Sequence, residues 1–586
     1  MGSRRVRSAG PGAGERRLNG PQTTGRDYRD LSAPEHETSS DLDVAVEMRD
    51  GVRLLADVHR PASGGRFPAL VSASPYPRQI QDLGAPMGFI EAGATDFFVP
   101  RGYVHVIANL RGTGGSDGEF GFFDAQERRD VHDLVEWAAA QPWCDGTVGM
   151  VGISYFAMTQ LEAAVERPPH LRAIFPVAVT TDLYEAAVHH GLLSSGFVSP
   201  FLTMVGIAAR HGDKLWRGRT LDAVRAVLHE HWLHARFATM DGEEALTVMK
   251  LATRLPYDPH PWDDLWQDVA VEHPLRDDWW DERDLTPLLG RVQVPVYLGC
   301  DWDNVPLHLP STFRAMDALT GSPHVRVAML GEHGLSWPWE SLHVEALAWF
   351  DHWLKGRDTG ILEGPRIRWV LPGGDGWSAT AAWPPPGSSH VALALRADGV
   401  LGEDEGEAGE RAYVTLGAGL NRRDPRPTDP PTVLQWTGAP LGAPLDMTGS
   451  AELVLHASAT APDTAWIATL QDVGPDGAAT DVTAGWLRAG LRTVDEAASR
   501  PGAPVLPCRS FVPVPVGEIV EYRVPLVVNA RRLAAGHRIR LVLASDDQPE
   551  DVPAIMGFRH ASIGTSSRNA VRSSSRLLLP VLPPAS

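Results

Sequence analysis

Residues 147–166 read TVGMVGISYFAMTQLEAAVE, a short apolar run, a turn around Gly152 and Ser154, then a helical stretch. A strand that feeds directly into a helix is half of a βαβ unit, and such units build parallel sheets covered on both faces. The neighbouring sequence repeats the pattern. DVAVEMRDGVRLLADVHRP (43–61) predicts a hairpin that turns at Arg49-Asp50-Gly51. PALVSAS (68–74), VHVIANL (104–110), LRAIFPVAV (171–179), VQVPVYLG (292–299) and HVRVAML (324–330) predict further strands. Val131, Leu134, Val135 and Ala138 mark one face of a helix over 124–140. A second helix starts after Ser154 and stops at Pro168-Pro169, where the ring and the missing N–H forbid continuation. A third carries Leu342, Ala346, Trp349, Phe350, Trp353 and Leu354 and ends at Gly356.

A chain of 586 residues exceeds one ordinary core, and its character changes along its length. The pattern divides it into a disordered, Arg-rich leader over 1–35 and an α/β domain in two parts, 36–181 and 289–364. Between those parts, 182–288 is rich in Trp, His and Leu and has no convincing strand, which suits a helical cap over the sheet edge. From 365 to 586, strand runs such as AELVLHASA, TAWIATLQDV and HRIRLVLAS alternate with Pro, Gly and Asp turns, the mark of a jelly-roll β-sandwich.

Composition narrows the function classes. The net charge of −20 argues against a nucleic-acid partner. Three widely spaced cysteines, Cys144, Cys300 and Cys508, fit neither a disulfide framework nor a zinc spacing, so no metal or cofactor is expected. No apolar run reaches the ~18 residues of a membrane span, and the basic leader lacks the apolar core of a secretory signal. A cytoplasmic, membrane-free protein is the expectation, and homo-oligomerisation is left open.

Two serines compete for the role of nucleophile. Gly114-Gly115-Ser116-Asp117-Gly118 is a literal G-x-S-x-G, whereas Gly152-Ile153-Ser154-Tyr155-Phe156 fails that pattern at its last position. A nucleophile elbow needs a strand, a tight turn and a helix, so that the hydroxyl is exposed and helix N–H groups face the oxyanion. Ser154 has that context; Ser116 is followed by GEFGFF, which reads as loop. The fragment around Ser154 fits a helix N-cap serine equally well.

RGTGGSDGEF (111–120) and VEWAAAQPWCDGTVGMVGISY (135–155) resemble the cocaine-esterase-like, or CocE/NonD, hydrolases, relatives of X-Pro dipeptidyl-peptidases and α-amino-acid ester hydrolases. The likeness continues through MRDGVRLLADVHRP, LAWFDHWLKG (347–356), LQDVGPDGAATDVTAGWLRAGLR (470–492) and AAGHRIRLVLAS (534–545). That family's elbow is G-x-S-Y-x-G, from which this chain departs only in Ala157. The resemblance implies an α/β-hydrolase fold with an inserted helical cap and a C-terminal all-β jelly-roll domain. It implies catalysis through an acyl-enzyme on Ser154.

Serine needs a base and an orienting acid, supplied in the order Ser, acid, His from loops after later strands. VPVYLG runs into Cys300-Asp301-Trp302-Asp303, and HVRVAML runs into Gly331-Glu332-His333-Gly334. His333 is the expected base. The family's G-W-x-D pattern puts the acid at Asp303, with Asp301 its rival on the same loop. The Tyr155 backbone N–H is one expected oxyanion donor, and the family's tyrosine after the third strand corresponds to Tyr76. Arg111 and Asp117 are expected to tie the glycine loop together.

Asn304-Val305-Pro306-Leu307 follow Asp303, so the acidic residues with which amino-acid ester hydrolases hold an ammonium are missing from this position. Trp216, Trp232, Trp262, Trp266, Trp279 and Trp280 suggest a cap suited to an apolar or aromatic acyl group. The expected substrate is a small-molecule ester, with an amide, an X-Pro peptide or acyl transfer as alternatives. A non-catalytic binding protein is the reading from a different class.

Overall fold

A computed structural model of the chain describes residues 4–7, 18, 20–81, 90–210, 223, 226, 230, 232, 262–332, 334–335, 340–417, 429–547 and 559–583. The first sheet contains β1 (Arg4–Arg7), β2 (Thr38–Glu47), β3 (Arg53–Pro61), β4 (Phe67–Ser74), β5 (Val104–Asn109), β6 (Cys144–Ile153) and β7 (Leu171–Val177). Two-residue strands β8 (Val188–His189) and β9 (Leu192–Leu193) form a separate small hairpin. The sheet resumes with β10 (Val296–Asp301), β11 (Val325–Leu330), β12 (Ile367–Val370) and β13 (Trp377–Thr380). Its order is β1-β2-β3-β5-β4-β6-β7-β10-β11-β12-β13. Every pair from β5 through β12 is parallel. The flanking pairs are antiparallel.

Helices cover both faces, as the near-continuous apolar strands require. On one side lie α1 (Ala125–Ala139) and α2 (Tyr155–Glu166), whose Val131, Leu134 and Leu161 share a core with Met150 and Ile174. In chain order follow α3 (Leu183–Ala187), α4 (Ser195–Arg210), α5 (Trp262–Gln267), α6 (Asp278–Glu282), α7 (Leu309–Ala318) and α8 (His343–Lys355). α8 packs the other face, where Trp349 and Phe350 meet Val151, Phe175 and Tyr297. Successive β6 residues Met150 and Val151 thus serve opposite cores, the period of two that a strand imposes.

α3 to α6 and the β8–β9 hairpin lie between β7 and β10, where the cap was expected. The C-terminal domain is an eleven-stranded sheet, antiparallel in every strand pair, that curls around Trp436, Trp466 and Tyr522.

Two sequence expectations need correction. RIRWVLPG was expected to open the jelly roll at 365, but β12 pairs in parallel with β11 and β13 closes that edge. α8 acts as the crossover that brings β12 alongside, so the first sheet extends to Thr380 and the second begins at Ser389. The disordered leader is also wrong for residues 4–7 and 20–35. β1 pairs with β2, and Thr24 donates through N and Oγ1 to Glu345 at 3.0 and 3.1 Å. Ser32 donates through N and Oγ to Asp351 at 2.6 and 2.7 Å. Glu345 and Asp351 are buried carboxylates on α8 that need donors, and the leader supplies them.

Candidate active site

Ser154 sits between β6 and α2 with φ 58° and ψ −121°, a conformation that costs a non-glycine residue roughly 1–3 kcal/mol. The turn is enforced by its surroundings. Ser154 N donates to Val177 O on the neighbouring strand at 3.0 Å, and its carbonyl accepts from Ala157 N and Met158 N at 2.8 and 3.1 Å. Gly152 has φ 144°, and a Cβ there would stand 2.4 Å from Phe156 Cβ and 2.8 Å from Glu91 O. Only glycine fits. The N-cap explanation for Ser154 fails, because its side chain makes no cap hydrogen bond. Ser116 is the structural serine: its Oγ donates to Asn109 O and accepts from Leu55 N, both at 2.9 Å. Arg111 pairs with Asp130 and Asp50, and Asp117 with Arg53, as expected of loop ties.

Tyr76 faces Ser154. Both line the same cavity, and burial and the nearby Glu91 push the Tyr76 pKa well above the ordinary tyrosine value, with the Ser154 side chain pulling the other way. The phenol therefore keeps its proton and can donate it in a hydrogen bond. Asn109 Nδ2 donates to Tyr76 O at 2.6 Å. The fully buried Arg78 fixes the same turn through Asp57 (2.9 Å), Asp43, Asn109 Oδ1 (3.1 Å) and Gly114 O (2.9 Å). Tyr155 is the first residue of α2, so its backbone N–H has no intrahelical acceptor. Its side chain points elsewhere, stacking on Phe123 at 4.2 Å and donating to Glu127 at 2.9 Å.

Both candidate acids stand at the exit of β10. Asp301 is buried, its Oδ2 accepts from Leu335 N at 3.2 Å, and burial together with the Asp303 charge pushes its pKa up to about 6. Asp303 is exposed two residues further along the loop. His333 lies outside the described residues; its neighbours Glu332 and Gly334 follow β11. The buried Asp301 thus ties the β10 exit to Leu335, beyond the end of β11.

Between Ser154 and the cap is a small, largely apolar cavity of about 50 Å³. Phe122, Phe123, Phe197, Phe201, Met158 and Leu202 supply much of its apolar wall. Its polar lining among the described residues is Tyr76, Ser154, Tyr155, Thr180 and His308. His308 Nδ1 bonds Thr180 Oγ1 at 2.9 Å, and burial drives its pKa down to about 3, so it is neutral. No carboxylate lines the cavity among the described residues.

A strained serine at a strand–helix turn below a helical cap, with a jelly-roll domain behind it, agrees with the outcome of comparison with known proteins. Residues 50–339 match the family model described as X-Pro dipeptidyl-peptidase (S15 family), and 360–554 match the X-Pro dipeptidyl-peptidase C-terminal non-catalytic domain. Cocaine esterase of Rhodococcus sp. (strain MB1 Bresler) is 28% identical over 553 residues, 86% of this chain and 91% of that protein. The chain belongs to the CocE/NonD and S15 hydrolase family. A CocE/NonD family hydrolase from Staphylococcus aureus superposes with a TM-score of 0.73 at 21% identity, covering 93% of this chain and 94% of that one. An α-amino-acid ester hydrolase superposes at 0.68 and 20% identity, covering 96% and 99%. Serine hydrolase activity follows from this membership.

Several features of the site were not foreseen. Phe122 and Phe123 both adopt left-handed conformations, φ 58° and 62°, in the stretch read only as loop. Phe123 N is held by Glu127 Oε2 at 3.1 Å, and burial pushes both Glu127 and its neighbour Glu162 toward the protonated form. Among the described residues, no cap tryptophan lines the cavity. Trp280 is fully buried, Trp279 stacks on His273 at 4.9 Å, and Trp232 and Trp266 are exposed. Trp216 and the Trp262 side chain lie outside the described residues, and the aromatic wall among the described ones is mainly phenylalanine. Among the described residues, no helix is long and apolar enough to cross a membrane, and no cluster of three His, Cys, Asp or Glu could hold a metal.

Proposed function

We propose that the protein is a carboxylic-ester hydrolase for small esters with an apolar or aromatic acyl group. The observation that carries this reading is the strained Ser154 at the mouth of an apolar cavity, with Tyr76 in the same wall. Ser154 Oγ attacks the ester carbonyl as His333 takes its proton, and Asp303 orients the imidazole and stabilises its charge. The carbonyl oxygen becomes an oxyanion that accepts from the Tyr76 hydroxyl and the Tyr155 N–H. His333 then protonates the departing alkoxide, and water repeats the cycle on the acyl-enzyme to release the acid. Asp301, already bonded to Leu335 N, braces the loop rather than the base.

The S15 match raises X-Pro peptidase activity as the competing reading. That activity requires a partner for a substrate ammonium, and burying an unpaired charge costs roughly 3–5 kcal/mol. The described cavity wall offers no carboxylate. Benzoyl, phenylacetyl and butyryl aryl esters should therefore exceed Xaa-Pro anilides in kcat/KM by at least about 10²-fold. A panel of both classes with product mass spectrometry checks this, and preference for the anilides would reverse the assignment.

Tyr76→Phe tests the oxyanion donor. It keeps the ring and its contacts with Tyr155 and Phe156, at 6.1 Å each, while removing one oxygen. The expected loss is about 10²–10³ in kcat with KM nearly unchanged. Steady-state kinetics on a good ester decide it, and a kcat within a few-fold of the parent would move the second donor to a backbone N–H.

A further inference from the structure

The loop that leaves β10 is held by groups outside its own sheet, at carbonyls on both sides of Asp303. On one side, Asn529 of the C-terminal-domain strand Val520–Leu533 donates through Nδ2 to Trp302 O at 3.1 Å and to Val482 O at 2.9 Å. Its Oδ1 accepts from Ala530 N at 2.7 Å, so this buried amide is spent on one fixed orientation. On the other side, His189 Nε2 lies 2.7 Å from Pro306 O, and His189 Nδ1 lies 2.7 Å from His560 Nε2. His560 Nδ1 stands 3.1 Å from Asp547 Oδ2. Trp486 stacks on His189 at 4.4 Å and fixes its plane.

Counting donors sets the protons in this chain of bonds. A carbonyl only accepts, so His189 carries its hydrogen on Nε2 and must accept at Nδ1. His560 Nε2 is then the donor. A carboxylate also only accepts, so the bond to Asp547 needs a second hydrogen on His560 Nδ1. His189 stays neutral, because burial and the His560 charge push it well below the ordinary histidine value. Asp546 and Arg559 adjoin the relay in sequence, and His190, beside His189, feels Glu185 and Arg314. Two residues along from Asn529, Arg531 pairs with Glu332 at the exit of β11, with Asp472 behind it at 3.0 Å.

We propose that the C-terminal domain takes part in catalysis as a positioning element, fixing the β10 loop and its carboxylate through Asn529 and the Asp547–His560–His189 relay. The inference rests on the reading that this loop supplies the triad acid. Its rationale is that a displacement of about 1 Å in a reacting constellation can cost on the order of 10² in rate.

The experiment compares Asn529→Asp and His560→Gln in the full chain with Asn569→Asp. Asn569 is a similarly buried amide whose side-chain bonds among the described residues stay within its own domain: it donates to Thr464 and Ser545 at 2.9 and 3.0 Å and accepts from Ser567 at 2.8 Å. The first two variants should lose about 10- to 100-fold in kcat, more than any change in KM. Asn569→Asp should lower the melting temperature with kcat intact. Equal kcat for all three variants would overturn the inference. Asp303→Asn and Asp301→Asn are measured alongside: if neither lowers kcat, the acid-loop reading itself has failed, and if one does, only the positioning role is in question.

Discussion

Ser154→Ala is expected to abolish ester turnover, with a loss in kcat on the order of 10⁶, and to prevent labelling by a fluorophosphonate. The magnitude follows because without the hydroxyl there is no acyl-enzyme, and what remains is only the stabilisation offered by the oxyanion donors and the cavity. Alanine relieves none of the backbone constraint, since φ 58° is unfavourable for any residue with a Cβ. The turn should persist through Ser154 N on Val177 O and the tight packing at Gly152. Ser116→Ala is the internal contrast. It removes bonds to Asn109 O and Leu55 N, which costs about 1–3 kcal/mol of stability and leaves labelling in place. Intact-protein mass spectrometry after fluorophosphonate treatment reads both variants. A label that survives in Ser154→Ala would refute the assignment.

Asp303→Asn carries the next largest expected effect, about 10⁴ in kcat, because an amide cannot hold the base in the required tautomer or stabilise its positive form. Asp301→Asn should do much less to kcat. Its Oδ2 accepts from Leu335 N, a role that the amide oxygen can retain, and burial already makes its ionised form unfavourable. Kinetics of the two variants at one pH, with thermal melts to check folding, give the ranking. The reverse order would transfer the acid role to the buried carboxylate and make Asp303 the accessory group on the loop.

The elbow was readable because its determinants are local. TVGMVG before Ser154 and FAMTQLEAAVE after it specify strand, turn and helix within twenty residues, and that context overruled the literal G-x-S-x-G at Ser116. Ala157 in place of the family glycine is tolerated for a similar reason. Its backbone joins the first helical turn, and its methyl is buried in the core beneath α2. The β10 and β11 exits were legible as loops bearing carboxylates and a histidine, since strand ends in parallel sheets lie close to turn residues in sequence.

The remaining features depend on partners hundreds of residues apart. Thr24 and Ser32 look like leader residues until Glu345 and Asp351 appear beside them as buried acceptors. RIRWVLPG looks like the first strand of a β-domain, because a strand's apolar pattern does not say whether its neighbour will be parallel. The cap's tryptophans and phenylalanines are equally apolar in sequence; the packing of α4 and the Phe122–Phe123 turn decided that the phenylalanines face the cavity. By itself the sequence determined the element types, their order and the serine at the elbow, because propensity, periodicity and tight-turn sterics act over a few residues. Only the tertiary structure decided which buried polar group satisfies which, that Asn529 and His189 grip the loop around Asp303, and that Asp301 is enclosed while Asp303 is not. Those outcomes are set by desolvation, which depends on what the folded chain brings near each group from elsewhere.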